Sequence, residues 1–266
     1  MDITFGQYYP GKSLLHRMDA RFKILVIVAY VVILFIIRNI LGFLLPAFFL
    51  CLEVAISKVP VKTVVRSVKA ILPLILFTAI LNMFFVEGTP IFEFWILKPT
   101  REGLYNAVVM IIRITLLIVS TSMLTFTTTP IALTDAIERL LSPLKVIRFP
   151  AHEIAMMMTI ALRFIPTLME ETNKIIAAQK ARGADFESGN LIARAKAMIP
   201  ILIPLFVSAF RRAEELAVAM ECRCYNGGDK RTKLRQPKIT KIDWFALGAV
   251  ALLIAGVIVL NIFLPF

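Results

Sequence analysis

Histidine is nearly absent: the chain has two, His16 and His152. His152-Glu153 opens like a zinc-protease motif, but the second histidine that motif needs would fall at Met156, so the metal reading fails. Cysteine is scarce as well. Cys51, Cys222 and Cys224 are an odd number without framework spacing, which excludes a disulfide scaffold, and Cys222-Arg223-Cys224 is C-x-C rather than C-x-x-C. No G-x-S-x-G elbow occurs. Carboxylates are outnumbered, 18 against 30 Lys and Arg. The adjacent pairs Glu170-Glu171 and Glu214-Glu215 lie on the polar faces of basic helices, where Arg211 is placed to meet Glu215 at i,i+4. No catalytic dyad, nucleophile, metal centre or cofactor site emerges, and an enzyme is not expected.

One motif imitates nucleotide chemistry. Gly6-Gln7-Tyr8-Tyr9-Pro10-Gly11-Lys12-Ser13 fits the spacing of a phosphate-binding P-loop. A working loop needs a buried strand before it, a helix after it and free backbone N–H groups lining it. Only five residues precede Gly6, and Pro10 removes an N–H. The segment is expected to be an ordered cytoplasmic lead-in.

What the chain does have is apolar sequence: 59% of residues, against roughly 45–50% in soluble domains. Five runs approach the length of a bilayer crossing, at 22–37, 41–56, 71–86, 103–126 and 244–263. Arg38-Asn39 reads as a tight hairpin. Lys58, Lys62, Arg66 and Lys69 read as a basic loop. The net charge is +12, and residues 128–241 carry 18 Lys and Arg against 11 Asp and Glu. Basic short loops stay in the cytoplasm. That rule places the N-terminus, 57–70 and 127–243 inside the cell, and 87–102 and the C-terminus outside. No small-residue cleavage site follows the first run, so no cleaved leader is expected. The expected fold is all-α and polytopic, a multi-pass protein of the cell membrane. Its expected parts are a lead-in with crossings one to four (1–126), a cytoplasmic module (127–242) and a last crossing (243–266). The basic stretch 226–242 faces anionic lipid rather than nucleic acid.

A transporter with its own substrate path places ionisable groups deep in the bilayer. Here Arg113 is the one charge near the middle of a crossing, with Asn82 polar on the third. The preferred reading of Arg113 is a tie to a neighbouring helix or to backbone carbonyls. A stand-alone secondary permease using Arg113 is the alternative.

The cytoplasmic module starts with a short interfacial helix over 131–141, after Thr127-Thr128-Thr129-Pro130. Two long amphipathic helices follow, over 151–182 and 190–225, kinked at Pro166, Pro200 and Pro204. Their apolar stripes, which include Met157, Met158, Ala161 and Ile165 on the first and Leu205, Ala209 and Ala213 on the second, recur at helical spacing and should pack against something. Each helix ends on an arginine between small residues: Ala181-Arg182-Gly183 and Cys222-Arg223-Cys224. A small neighbour permits close approach, and a guanidinium offers a planar fork suited to carboxylates.

These residues carry a resemblance. Pro10-Gly11-x-Ser13 is followed by Leu15-His16-Arg17-Met18-Asp19-x-Arg21-x-Lys23. Then come Ser142-Pro143-Leu144-Lys145, Ala161-Leu162-Arg163-Phe164-Ile165-Pro166, Ala178-Gln179-x-Ala181-Arg182-Gly183-Ala184-Asp185-Phe186 and Pro204-Leu205-Phe206-Val207-Ser208-Ala209-Phe210-Arg211-Arg212-Ala213. Leu216-Ala217-x-Ala219-Met220-Glu221-x-Arg223-x-Tyr225 and Arg231-Thr232 complete the set. In order and spacing the chain resembles the transmembrane T component of energy-coupling factor transporters, the family that includes the cobalt-transport CbiQ proteins. The resemblance implies a non-enzymatic scaffold. Two cytoplasmic coupling helices would dock their tips in two ABC-type ATPases, EcfA-like and EcfA′-like, with Arg182 serving one and Arg223 the other. A substrate-binding S subunit would rest on the membrane helices and on the apolar faces of the coupling helices. ATP would be bound by the ATPases and no cofactor by this chain, and the cargo would be a vitamin or another micronutrient. The departure is at the second tip, where Cys222 and Cys224 replace the usual alanine and glycine or serine. Gly227-Gly228 are the expected substitutes for the lost helix stop.

Overall fold

The computed structural model describes residues 8–37, 39–86, 89, 100–143, 149–186, 190–227 and 239–263. The Gly6-Gln7 end of the P-loop-like pattern, Arg38, most of 87–102, Leu144-Lys145, Gly228 and the bulk of the basic stretch 226–242 lie outside them. Every regular element among the described residues is helical: α1 (Leu14–Arg17), α2 (Ala20–Ile36), a 3-10 turn (Ile40–Phe43), α3 (Leu44–Ser57), α4 (Val61–Phe85), α5 (Arg101–Thr127), α6 (Pro130–Leu141), α7 (Ala151–Ala181), α8 (Leu191–Glu221) and α9 (Lys241–Phe263). The chain divides into two compact units, residues 1–136 with 235–266, and residues 137–234.

The first unit holds the apolar helices. Four stretches are long and apolar enough to cross a membrane: Ile40–Ser57, Val61–Phe85, Arg101–Thr127 and Lys241–Phe263. At most 28% of the apolar window of any of them is buried within the chain, which leaves the rest for lipid. α2, expected as the first crossing, has 17 residues, about 25 Å of helix. That is the lower edge of what the hydrocarbon core requires. α4 corrects the sequence reading. It begins ten residues before the expected crossing at 71, so the basic loop is mostly helix. Lys62, Arg66 and Lys69 stand four and three apart, the spacing of one helical face. Pro73 lies inside α4 without interrupting it.

Buried polar contacts fix how these helices meet. Lys23, 4% exposed, donates from Nζ to Thr127 O (2.9 Å) and Thr128 Oγ1 (3.1 Å). Fourteen residues along each helix, Arg113 Nη2 donates to Ile37 O at 2.9 Å. α2 and α5 are therefore antiparallel in a single register. Asp243, fully buried, accepts from Thr240 N–H (2.7 Å) and Thr240 Oγ1 (2.9 Å), closing a capping box at the start of α9. Its other oxygen accepts from the N–H of Asp19 (2.9 Å), itself the N-cap of α2. The starts of α2 and α9 and the end of α5 thus share one end of the unit. Further along these helices Tyr30, Ile33, Leu34, Phe43, Leu253 and Val257 form the larger cluster of buried side chains among the described residues.

The lead-in is pinned at the same end. Tyr9 N–H donates to Phe126 O at 2.9 Å. His16 Nε2 donates to Tyr9 O (2.9 Å), and the Ser13 hydroxyl donates to His16 Nδ1 (2.6 Å). A Cβ on Gly11 would sit 2.7 Å from the His16 ring, so glycine there lets the ring close the turn.

In the second unit α7 and α8 pack on one another. Each runs unbroken through its prolines, Pro166 in α7 and Pro200 and Pro204 in α8.

Candidate functional site

The tips of α7 and α8 are built by local hydrogen bonding. At the first, Gly183 N–H donates to Lys180 O and Ala184 N–H to Gln179 O, both at 3.0 Å, with Gly183 at φ +85°. This is a Schellman stop, in which a left-handed residue lets two carbonyls of the last turn find partners. At the second, Cys224 N–H donates to Glu221 O (2.8 Å) and Tyr225 N–H to Met220 O (3.1 Å), with Cys224 at φ +55°. The pattern is the same, and Arg223 stands where Arg182 stands. Cys224 itself takes the glycine seat, which corrects the expectation that Gly227-Gly228 would end the helix. Gly227 also has positive φ, but it lies beyond the stop.

A cysteine in the left-handed region pays a steric cost of about 1–2 kcal/mol that glycine avoids. Cys224→Gly should therefore stabilise the end of α8 by about 1 kcal/mol, after allowing for the greater freedom of glycine in the unfolded chain. Thermal unfolding of the purified chain measures it. A lowered midpoint would show that the cysteine contributes contacts outweighing its backbone strain.

Arg182 and Arg223 are exposed, as are Ala181, Gly183, Cys222 and Cys224. Among the described residues neither arginine makes an ion pair. A different arginine joins the two helices: Arg212 Nη2 donates to Glu171 Oε2 at 3.1 Å. The Ser208 hydroxyl, and after it Arg212, hold the Glu171 carboxyl below the usual carboxylate range. The contact is therefore in place at neutral pH and is lost as pH falls through that lowered value. Arg211, expected to meet Glu215, has no ion pair among the described residues.

The bridge divides the helices symmetrically. Arg182 follows Glu171 by eleven positions and Arg223 follows Arg212 by eleven, about 16 Å of helix in each case. Pro166, Pro200 and Pro204 all precede the bridge. Each arm beyond it is α-helix closed by its stop, and on both the guanidinium stands eleven positions from the bridge.

The stripes are covered unevenly. On α7, Ile165 is half-buried, Ala161 is exposed, and Met157 and Met158 are exposed at 59% and 40%. On α8 the half-buried row is Leu205, Ser208, Ala209, Arg212 and Leu216, while Ala213 is exposed. Larger apolar residues at the same helical spacing stand open: Ile203, Phe206, Val207 and Phe210, the last at 72%. Four bulky apolar side chains thus stand open beside a half-buried row that includes the polar Ser208 and Arg212, which is how an exposed interaction surface looks.

Arg113 and Asn82 are not brought together by any hydrogen bond. The Arg113 guanidinium caps the end of α2 at Ile37 O and lies 5.8 Å and 5.6 Å from the ring centres of Phe35 and Phe43. Asn82 donates to Thr78 O (2.9 Å) and to Met110 Sδ (3.0 Å). His152 Nδ1 lies 2.9 Å from Glu138 Oε1. Among the described residues no three His, Cys, Asp or Glu side chains gather where a metal could sit.

Membrane-length apolar helices in one unit, and a paired-helix unit with two arginine tips in the other, define a polytopic, all-helical membrane protein. The family model CbiQ, described as cobalt transport protein, matches residues 11–234. The energy-coupling factor transporter transmembrane protein EcfT of Ruminiclostridium cellulolyticum is 53% identical over 98% of this chain and 97% of its own length. The proteins of the same name from Thermosediminibacter oceani and Lactococcus lactis subsp. cremoris are 51% and 48% identical, each over at least 96% of both chains. The chain belongs to this CbiQ/EcfT family of membrane-embedded transporter components.

Proposed function

We propose that this chain is the coupling subunit of an energy-coupling factor importer, passing the ATP-driven motion of two ATPases to a subunit that binds a vitamin or another micronutrient. Arg182 docks in one ATPase and Arg223 in the other, each against acidic groove residues. The substrate-binding subunit covers the open row Ile203, Phe206, Val207 and Phe210 together with the lipid-facing helices of the first unit. The N-terminus and the α7–α8 unit are cytoplasmic. ATP is bound by the partners, and the chain acts as a scaffold rather than a catalyst.

The observation that carries this reading is the matched pair of arms, each with the same stop and an arginine at the same spacing from Glu171–Arg212. Two equal levers suit a pair of similar motors. Purification from native membranes should bring down two nucleotide-binding proteins and a small membrane protein. Uptake in proteoliposomes should require all four chains and internal ATP. Uptake by this chain alone would instead establish a permease.

A further inference from the structure

A basic groove lies at the end of the first unit where the lead-in is pinned. It is an open groove of about 410 Å³, lined by Lys12, Ser13, Leu14 and Arg17 from the α1 region and by Ala55, Ile56 and Lys58 from the end of α3. The size is that of a small-molecule site. All three cations are exposed, and among the described residues none makes an ion pair. Among the described residues no carboxylate lines the groove. Asp19 is paired with Arg21 at 2.7 Å, and Glu53 lines a separate cavity of about 70 Å³ with Lys23.

The position of the groove identifies its occupant. Lys58 directly follows the apolar stretch Ile40–Ser57, so the groove sits at the depth where a bilayer changes from hydrocarbon to headgroup. Its apolar wall, Leu14 at 54% and Ile56 at 38% exposed, continues the lipid-facing surface of α3. Cations above an open apolar wall match a phosphodiester headgroup above its acyl chains. A free phosphate would have no use for the wall.

The backbone adds an independent observation. Lys58 ends α3 in the left-handed conformation, φ +57°, a seat that favours glycine. A lysine held there against its backbone preference, with its side chain lining the groove, is the kind of local strain that gathers at ligand sites. On the other wall, the His16 clasp and the Tyr9–Phe126 hydrogen bond tie down the backbone on either side of Lys12.

The geometry points to a binding site for one anionic phospholipid, its headgroup held by Lys12, Arg17 and Lys58. The site is independent of the partner-docking tips, which lie in the other unit. The test uses the full chain in phosphatidylcholine nanodiscs titrated with phosphatidylglycerol, with bound lipid counted by native mass spectrometry. Phosphatidylglycerol should be retained over phosphatidylcholine, and millimolar inorganic phosphate or ATP should not displace it. Lys12→Gln/Arg17→Gln/Lys58→Gln should weaken retention on the order of a hundredfold, and Lys58→Gly alone roughly fivefold. Because glycine suits the left-handed seat, Lys58→Gly should keep or raise the unfolding temperature, so weaker lipid binding cannot be ascribed to misfolding. Undiminished retention by the triple variant would overturn the proposal. Displacement by free phosphate or ATP would overturn it as well, and would assign the groove to a soluble anion.

Discussion

Arg182→Ala and Arg223→Ala are each expected to leave the chain folded while weakening its assembly with the ATPases by roughly a hundredfold or more. Neither arginine supports the fold beyond its interaction with the helix dipole, worth about 0.3–1 kcal/mol. Both helix stops are closed by backbone groups, which alanine leaves intact. A guanidinium buried against a carboxylate in an interface behaves differently. Removing one member of a desolvated pair costs about 3–5 kcal/mol, because the partner charge is left unpaired. The unfolding temperature should scarcely move while assembly and ATP-driven uptake collapse. Arg→Lys keeps the charge but loses the planar fork, so it should fall in between. Assembly of the purified components and uptake in proteoliposomes measure both effects. If each single variant assembled and transported at the wild-type rate, the tips would not be docking points.

The matched arms also constrain how motion could pass through the chain. With the prolines confined to the near side of the Glu171–Arg212 bridge, the helical segments beyond it, 172–181 and 213–221, contain no proline and have little freedom to bend. A displacement applied at a tip would then be delivered to the bridge and to the open apolar row beside it. Ile203, Phe206, Val207 and Phe210 all lie on the bridge's proline side. Force entering at one end and an apolar partner resting at the other is the arrangement a coupling subunit needs.

The helical plan was legible in the sequence where residue types act locally. α7 was expected over 151–182 and runs Ala151–Ala181 because Pro150 and Gly183 mark its ends. α8 was expected to reach 225 and stops at Glu221. Its left-handed residue is a cysteine, and nothing about cysteine announces that conformation. α4 begins earlier than its apolar run because Lys62, Arg66 and Lys69, which read as a loop by charge, are spaced four and three apart and suit a helix. The arginine tips were visible as motifs. Their equal distance from a bridge was not, since Glu171 and Arg212 are 41 residues apart in the chain and meet only after α7 and α8 pack. In the sequence Asp19 and Lys23 stand out only as part of the family pattern. The structure supplies one: Asp19 caps α2 and donates its N–H to Asp243, and Lys23 anchors the end of α5.

Asp243→Ala should be the most damaging substitution in the first unit. One carboxylate oxygen accepts the N–H and hydroxyl of Thr240, and the other accepts the N–H of Asp19, 224 residues away in sequence. Alanine would strand two backbone N–H groups, the buried one of Asp19 and the part-buried one of Thr240, and each stranded group costs about 1–3 kcal/mol. The expected loss is about 4 kcal/mol, a large share of the stability of an ordinary domain. Asparagine discriminates the mechanism. It has a similar shape but one acceptor oxygen, and its amide would point N–H groups at whichever donor loses its partner. Asp243→Asn should therefore recover only part of the loss. Thermal unfolding in detergent gives the ranking. A cysteine pair across the starts of α2 and α9 should cross-link efficiently in the native chain and poorly in the alanine variant. Full recovery by asparagine would mean that the fill of the site, and not its paired acceptors, fastens α9 to α2.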